Sequence, residues 1–240
     1  MSNESENDKI PLKIFQTWHT KDLTEKMRET VEELKNSNPE FEHFLFDENE
    51  CAEFIRSHFD ERVVNAFNRL IPIAFKADLW RYCVLYIHGG IYLDIKFRCV
   101  NGFKFINIID KEHFVLDCLL HPYGDEPYKG VWNAFMVTKP KSEKMYQCIH
   151  QIVENVENND YCNGPYDVTG PVLLGNCFTI EEKKQFNMKR WMCSGDNGAM
   201  LNDLLVLDEY KGYRDENSTD DYNKYYLHLW WSKKVFKCVE

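Results

Sequence analysis

The sequence has no apolar run long enough to span a bilayer, and its opening, MSNESENDK, has neither the basic nor the apolar segment of a secretory signal. Positive charge is in deficit. Against 39 Asp and Glu stand 29 Lys and Arg, for a formal charge of -10. This balance argues against non-specific nucleic-acid binding, which depends on neutralising phosphates. Closely spaced cysteine pairs are also missing. Nine cysteines are scattered with no CxxC spacing, which disfavours both a zinc site and a secreted disulfide scaffold. Cys83, Cys99 and Cys118 lie in apolar stretches, where a thiol packs as a small hydrophobe. The expectation is a cytoplasmic protein with reduced thiols and no transmembrane segment. In that setting the sequon at Asn217-Ser218-Thr219 carries little weight.

What is present is ordinary globular material: 240 residues, 44% hydrophobic, 15% aromatic and 28% charged. A chain of this length buries a sizeable core without staples. Residues 1–10 read as a disordered lead-in and 11–240 as one domain, since no repeat or linker divides them.

Hydrophobic periodicity predicts a first buried strand from Leu12 to Trp18 and a helix from Thr24 to Asn36. A second strand follows from Phe41 to Phe46. Asp47 and Glu50 form a capping-box pattern that starts a helix reaching His58. Helical spacing of Phe75, Leu79, Tyr82, Cys83 and Tyr86 predicts a helix from Ile73 to His88. Strands are expected at Phe114 to Leu120 and Trp132 to Thr138, and a helix from Ser142 to Val156. Residues 158–165 and 210–224 read as loops. Alternating strands and helices indicate an α/β fold on a mixed or parallel sheet.

The informative stretch is GGIYLDIKF, residues 89–97. With a side-chain period of two, a strand through this stretch places Asp94 and Lys96 on one side. They form either a salt bridge or half of a site. The preceding helix carries Asp78 and Arg81, three apart and so on one face. Alone that spacing describes a surface ion pair of small consequence. Running into a Gly-Gly turn and a strand that ends in an acid, it puts Asp78, Arg81, Tyr92 and Asp94 around one point. In α/β folds, ligands bind at the carboxyl ends of strands.

Lys76-Ala77-Asp78-Leu79-Trp80-Arg81-Tyr82, followed by Gly89-Gly90-Ile91-Tyr92-Leu93-Asp94, resembles the core of the DXD-type sugar transferases of glycosyltransferase family 32. Those enzymes are relatives of the yeast initiating mannosyltransferases and, more distantly, of glucosylating clostridial toxins. Other blocks match in order from about residue 11 to 232. They are Ile14 to Trp18, Asn38-Pro39-Glu40, Trp132 to Met136 with Lys139-Pro140, Thr169-Gly170-Pro171, and His228-Leu229-Trp230-Trp231.

The resemblance implies a Rossmann-like, nucleotide-sugar-binding fold of GT-A type with a central mixed sheet. It implies a UDP- or GDP-sugar donor and transfer of a hexosyl group, with retention, to a hydroxyl of a glycan or other acceptor. It assigns Gln16, Trp18, Asp78, Arg81, Gly90, Tyr92, Asn133 and Gly170 to the donor, and Asp94 and Lys96 to catalysis. Asp94 and His228 become candidate ligands of a divalent metal, Mn²⁺ or Mg²⁺. Trp18 offers a flat face for a nucleobase, while a carboxylate and a guanidinium suit sugar hydroxyls. Short members without an anchor resemble those of bacteria and large DNA viruses.

The family pattern ends Asp-x-Asp, whereas here it ends Asp94-Ile95-Lys96. Three readings stay open. Lys96 acts as a fixed cation against the donor diphosphate; metal still binds through Asp94 and donor phosphates; or the two side chains pair in a non-catalytic nucleotide- or glycan-binding protein. A nucleotide-sugar hydrolase is a further rival.

Overall fold

The computed structural model describes residues 9–117, 128–193, 195–217 and 225–237. Cys118, most of the expected lead-in, the end of the strand expected to reach Leu120 and parts of the loops 121–130 and 210–224 lie outside these residues.

The chain opens with β1 (Lys13–Thr17), α1 (Glu25–Ser37) and β2 (Glu42–Phe46). β1 and β2 are parallel, with Lys13 opposite Glu42 and Thr17 opposite Phe46. Next come α2 (Glu48–His58), α3 (Glu61–Arg69) and α4 (Ile73–His88). The expected capping box is present: Asp47 accepts from the Glu50 amide, and Glu50 accepts from the Asp47 amide. α3 is an element the periodicity did not announce. It is a nine-residue helix started by Asp60, whose carboxylate caps the Arg62 and Val63 amides.

After α4 the chain forms β3 (Gly90–Leu93), β4 (Phe97–Cys99), β5 (His113–Leu116), β6 (Val131–Thr138) and α5 (Glu143–Glu157). Short helices α6 (Pro165–Val168), α7 (Pro171–Asn176) and α8 (Ile180–Lys184) follow. A meander of β7 (Met188–Cys193), β8 (Asp196–Leu201) and β9 (Leu204–Glu209) comes next, then α9 (Tyr213–Glu216) and α10 (Tyr226–Trp231). α9 lies inside the segment expected to be a loop.

Among the described residues, nine strands join one mixed sheet in the order β2-β1-β3-β6-β5-β7-β8-β9-β4. One face packs against α2–α5 through a core that includes Phe15, Leu79, Tyr82, Tyr92 and Ile152. The other face is covered by Ile14, Ile91, Leu93, Trp132 and Phe135, against which Leu34 and Phe105 pack. This alternation of Ile14 with Phe15, and of Ile91 with Tyr92, is the strand period of two made physical.

β3 and β4 are neighbours in sequence yet stand six places apart in the strand order. A flat sheet would separate them by about 29 Å, while the link from Leu93 to Phe97 spans at most about 14 Å. The sheet therefore curls, and the turn Asp94–Lys96 sits where its β4 edge comes back to β3. The turn is closed by the Phe97 amide donating to the Asp94 carbonyl at 3.1 Å. This corrects the expected continuous strand through Lys96: β3 stops at Leu93 because the chain there has to cross to the far edge of the curl.

Gly90 has φ +96°, and a Cβ placed there would lie 2.7 Å from the Lys13 carbonyl oxygen of the neighbouring strand. Both the backbone and the close approach of β1 require glycine. Gly90→Ala is expected to lower stability by about 2 kcal/mol, read as an earlier urea midpoint. An unchanged midpoint would mean that the β1–β3 contact tolerates the methyl group. Among the described residues, no helix is long and apolar enough to cross a membrane.

Candidate functional site

α4 is buried almost all round, including the polar side chains Asp78 and Arg81. The pair is therefore not the exposed one that its spacing alone describes. Burying charges is costly unless they are paired and hydrogen-bonded, and here every group has partners. Arg81 lies 3.3 Å from Asp78 and 3.4 Å from Asp94. It also donates to the Asn133 carbonyl at 2.8 Å and stacks 4.5 Å over the Tyr92 ring. Asp78 accepts from Asn133 Nδ2 at 2.9 Å and from Thr169 Oγ1 at 2.7 Å. Tyr92 donates its hydroxyl to Asp94 at 2.8 Å.

Three chain segments thus meet on one guanidinium, α4, the end of β3 and β6, and the loop before α7 joins them through Asp78. Burial pushes the Asp78 carboxyl up to about 6, against the opposing pull of Arg81 and the Thr169 hydrogen bond. Burial works against the Arg81 charge, but Tyr92, Asp94 and Asp78 outweigh it and hold the guanidinium above its ordinary value. Burial likewise holds the Tyr92 hydroxyl well above the usual phenol range.

The cluster opens onto a cleft of about 480 Å³. Trp18, His19, Arg81, Tyr92, Asp94 and Lys96 line one part of it, and Ile73, Ala77, Tyr225 and Tyr226 line another. Trp18, just beyond β1, is half-buried and packs edge-on to Tyr213 at 6.3 Å, with His19 at 4.8 Å. Lys96 reaches the buried carboxylate of Glu209 at 3.4 Å and lies over the rings of Tyr213 and Phe97 at 4.9 and 5.2 Å. Lys96 and Asp94 share the cleft because of the turn, and the ionic partner of Lys96 is Glu209. A larger depression of about 810 Å³, lined by Tyr146, His150, Asp167 and Cys177 among others, contains none of the expected site residues.

Six expected donor or metal residues stand outside the cleft lining. Gln16 is fully buried and pairs with His43 at 2.8 Å. It lies on the sheet face of Ile14, while the neighbouring Thr17 turns toward the cleft. Asn133 and Asp78 are bound to each other within the cluster. Gly170 is the N-cap of α7, and a Cβ on it would sit 3.7 Å from Asp78. Gly90 fits β3 to β1. His228, on α10, is half-buried.

Among the described residues, no three His, Cys, Asp or Glu side chains converge to hold a metal ion. The donor set at the turn is one carboxylate flanked by the cations Arg81 and Lys96, which does not suit a protein-built divalent centre.

Sequence reasoning missed Glu209 and Tyr213. No local pattern marks them, because they reach the site only through β9 pairing with β4, with Glu209 opposite Phe97.

A mixed α/β architecture of GT-A type is what this curled sheet defines. The solved structure of PaToxG Glycosyltransferase shares the fold, with a TM-score of 0.54 and 16% identity over 71% of this chain and 69% of that one. A glycosyltransferase of Acanthamoeba polyphaga mimivirus is 30% identical over 201 residues, covering 70% of this chain and 80% of the relative. Inositol phosphoceramide mannosyltransferase 1 of Schizosaccharomyces pombe is 25% identical over 154 residues, 63% of this chain, and the match spans only 45% of the yeast protein. The family described as glycosyltransferase sugar-binding region containing DXD motif matches residues 24–115. This chain belongs to that family.

Proposed function

We propose that the protein transfers a hexosyl group from a UDP- or GDP-sugar to a hydroxyl of a glycan or other acceptor, with retention. The observation that carries this reading is the convergence of Arg81, Tyr92 and Asp94 at one wall of a cleft whose neighbouring wall presents Trp18. Trp18 stacks on the base. Arg81 and Asp94 face the donor sugar, one donating and one accepting. Asp78, Asn133 and Thr169 hold Arg81 in place from within the fold. Retention needs no dedicated base, since the departing phosphate accepts the proton of the incoming hydroxyl on the same face. Cys51, Cys83, Cys99, Cys148, Cys162 and Cys177 are free thiols, which suits a cytoplasmic setting.

The names of the yeast relatives, several of them mannosyltransferases, put mannosyl nucleotides first among donors to try. The test is donor turnover across UDP- and GDP-sugars with Mn²⁺, Mg²⁺ or EDTA, with released nucleoside diphosphate read by NMR. Release from one donor supports the reading. Binding of nucleoside diphosphate with every donor left intact, across an acceptor screen, would favour a non-catalytic binding protein, the reading that Lys96 at the motif's second acid position keeps in play. Sugar released to water at a rate indifferent to acceptor would indicate a hydrolase.

Trp18→Ala is expected to weaken nucleoside diphosphate binding by about tenfold, since base–aromatic stacking contributes about 1–3 kcal/mol. Calorimetric titration measures it, and an unchanged Kd would remove Trp18 from the site.

A further inference from the structure

Lys96 is held from behind by a buried polar chain. The Glu209 carboxylate that it meets also takes Arg214 at 3.3 Å and Asn197 Nδ2 at 3.4 Å. Asn197 Oδ1 accepts from Arg190 Nε at 3.0 Å, and Arg190 pairs with the buried Asp117 at 3.4 Å. The lysine side chain keeps 20% of its surface exposed, where it lines the cleft beside Asp94. Two cations share one buried carboxylate, so the Lys96–Glu209–Arg214 group carries a net positive charge. The family's two acids would instead need a divalent ion to reach neutrality. Here Asp94 and Lys96 are neutral together without one. Tyr213 and Phe97 supply π-faces to the ammonium, which favour a cation at that position.

Resting on the donor reading, we propose that the Lys96 ammonium replaces the divalent ion, contacting the donor diphosphate directly so that donor binding and turnover require no metal. In the transfer step the bond from the anomeric carbon to the phosphate oxygen breaks, and its electron pair stays on that oxygen. Lys96 donates a charge-assisted hydrogen bond to the leaving diphosphate. The acceptor oxygen forms the new bond to carbon, and its proton passes to the same diphosphate. Glu209 is a positioning residue that keeps the ammonium aimed into the cleft.

The test is calorimetric titration of UDP and GDP, in EDTA and in Mn²⁺, against wild type, Lys96→Met, Lys96→Arg and Lys96→Asp. Wild type is expected to bind one of the two nucleotides with the same Kd in both media. Lys96→Met should lose about tenfold or more in both, the loss expected for a charge-assisted contact. Lys96→Arg should retain binding, which separates loss of charge from loss of fold. Lys96→Asp places a second acid beside Asp94, with Glu209 close by. It should bind only with Mn²⁺, which should also raise its Tm while leaving that of wild type unchanged.

A wild-type affinity that falls tenfold or more in EDTA, or that survives Lys96→Met, overturns the inference and leaves the donor reading standing. Failure of both nucleotides under every condition sinks the donor reading and the inference with it.

Discussion

Arg81→Met is expected to destabilise the protein by about 3–5 kcal/mol, the range for removing one partner of a buried ion pair, and to abolish donor turnover. The side chain is almost fully buried, lies between Asp78 and Asp94, and donates to the Asn133 carbonyl. A methionine fills much of the same volume, so cavity formation contributes little and the loss is electrostatic. Asp78 would remain buried without its cation, and the Asp94 carboxylate would keep the Tyr92 hydroxyl as its partner within the cluster. Arg81→Lys keeps the charge but not the planar fork that engages two carboxylates and a carbonyl together, and it should recover only part of the loss. Urea unfolding measures the first effect and nucleoside diphosphate release the second. A methionine variant as stable as wild type would mean that the cluster tolerates unpaired acids.

The second large effect concerns pH. Burial raises the Asp78 carboxyl from its ordinary 3.8 to about 6, so the folded protein binds that proton more tightly than the unfolded chain does. The contribution to stability is fully present below about pH 4 and is lost as pH rises through about 6. Each tenfold difference in proton affinity between the folded and unfolded chain is worth about 1.4 kcal/mol, so the change across that window is about 3 kcal/mol. Other carboxylates titrate over the same range, so the quantity to measure is the difference in unfolding free energy between wild type and Asp78→Asn. It should move in favour of the asparagine variant by about 3 kcal/mol between pH 4 and 6. Parallel curves would place the Asp78 pKa near its ordinary value.

Turnover should run the other way. Only the ionised carboxylate accepts from both Asn133 Nδ2 and Thr169 Oγ1 without surrendering an acceptor site. Donor turnover is therefore expected to rise across the interval in which this group ceases to help stability.

Most of the first half of the fold was legible because its signals are local. The capping box at Asp47, the spacing of apolar residues in α4 and the alternation in β1 and β2 each act within a few residues. α3 went unread because its nine residues give too short a period to stand out. The β7–β9 meander went unread because its strands are half polar and its register depends on neighbours far away in sequence. The site divides the same way. Trp18, Arg81, Tyr92, Asp94 and Lys96 line one cleft, whereas Gln16 faces the core with His43.

By itself the sequence determined the α/β class, the family and the charge exchange at position 96. These depend on residue identity and on periods of two and 3.6, which are properties of the local chain. Only the tertiary structure decided that Asp78 and Arg81 are buried, that Asp94–Lys96 form a turn, and that Lys96 meets Glu209. Each follows from the curl of the sheet, which brings β4 beside β9 across more than one hundred residues of chain. Contacts made by closing so long a loop leave no trace in local pattern, because their energy comes from burial and pairing that exist only once both ends are in place.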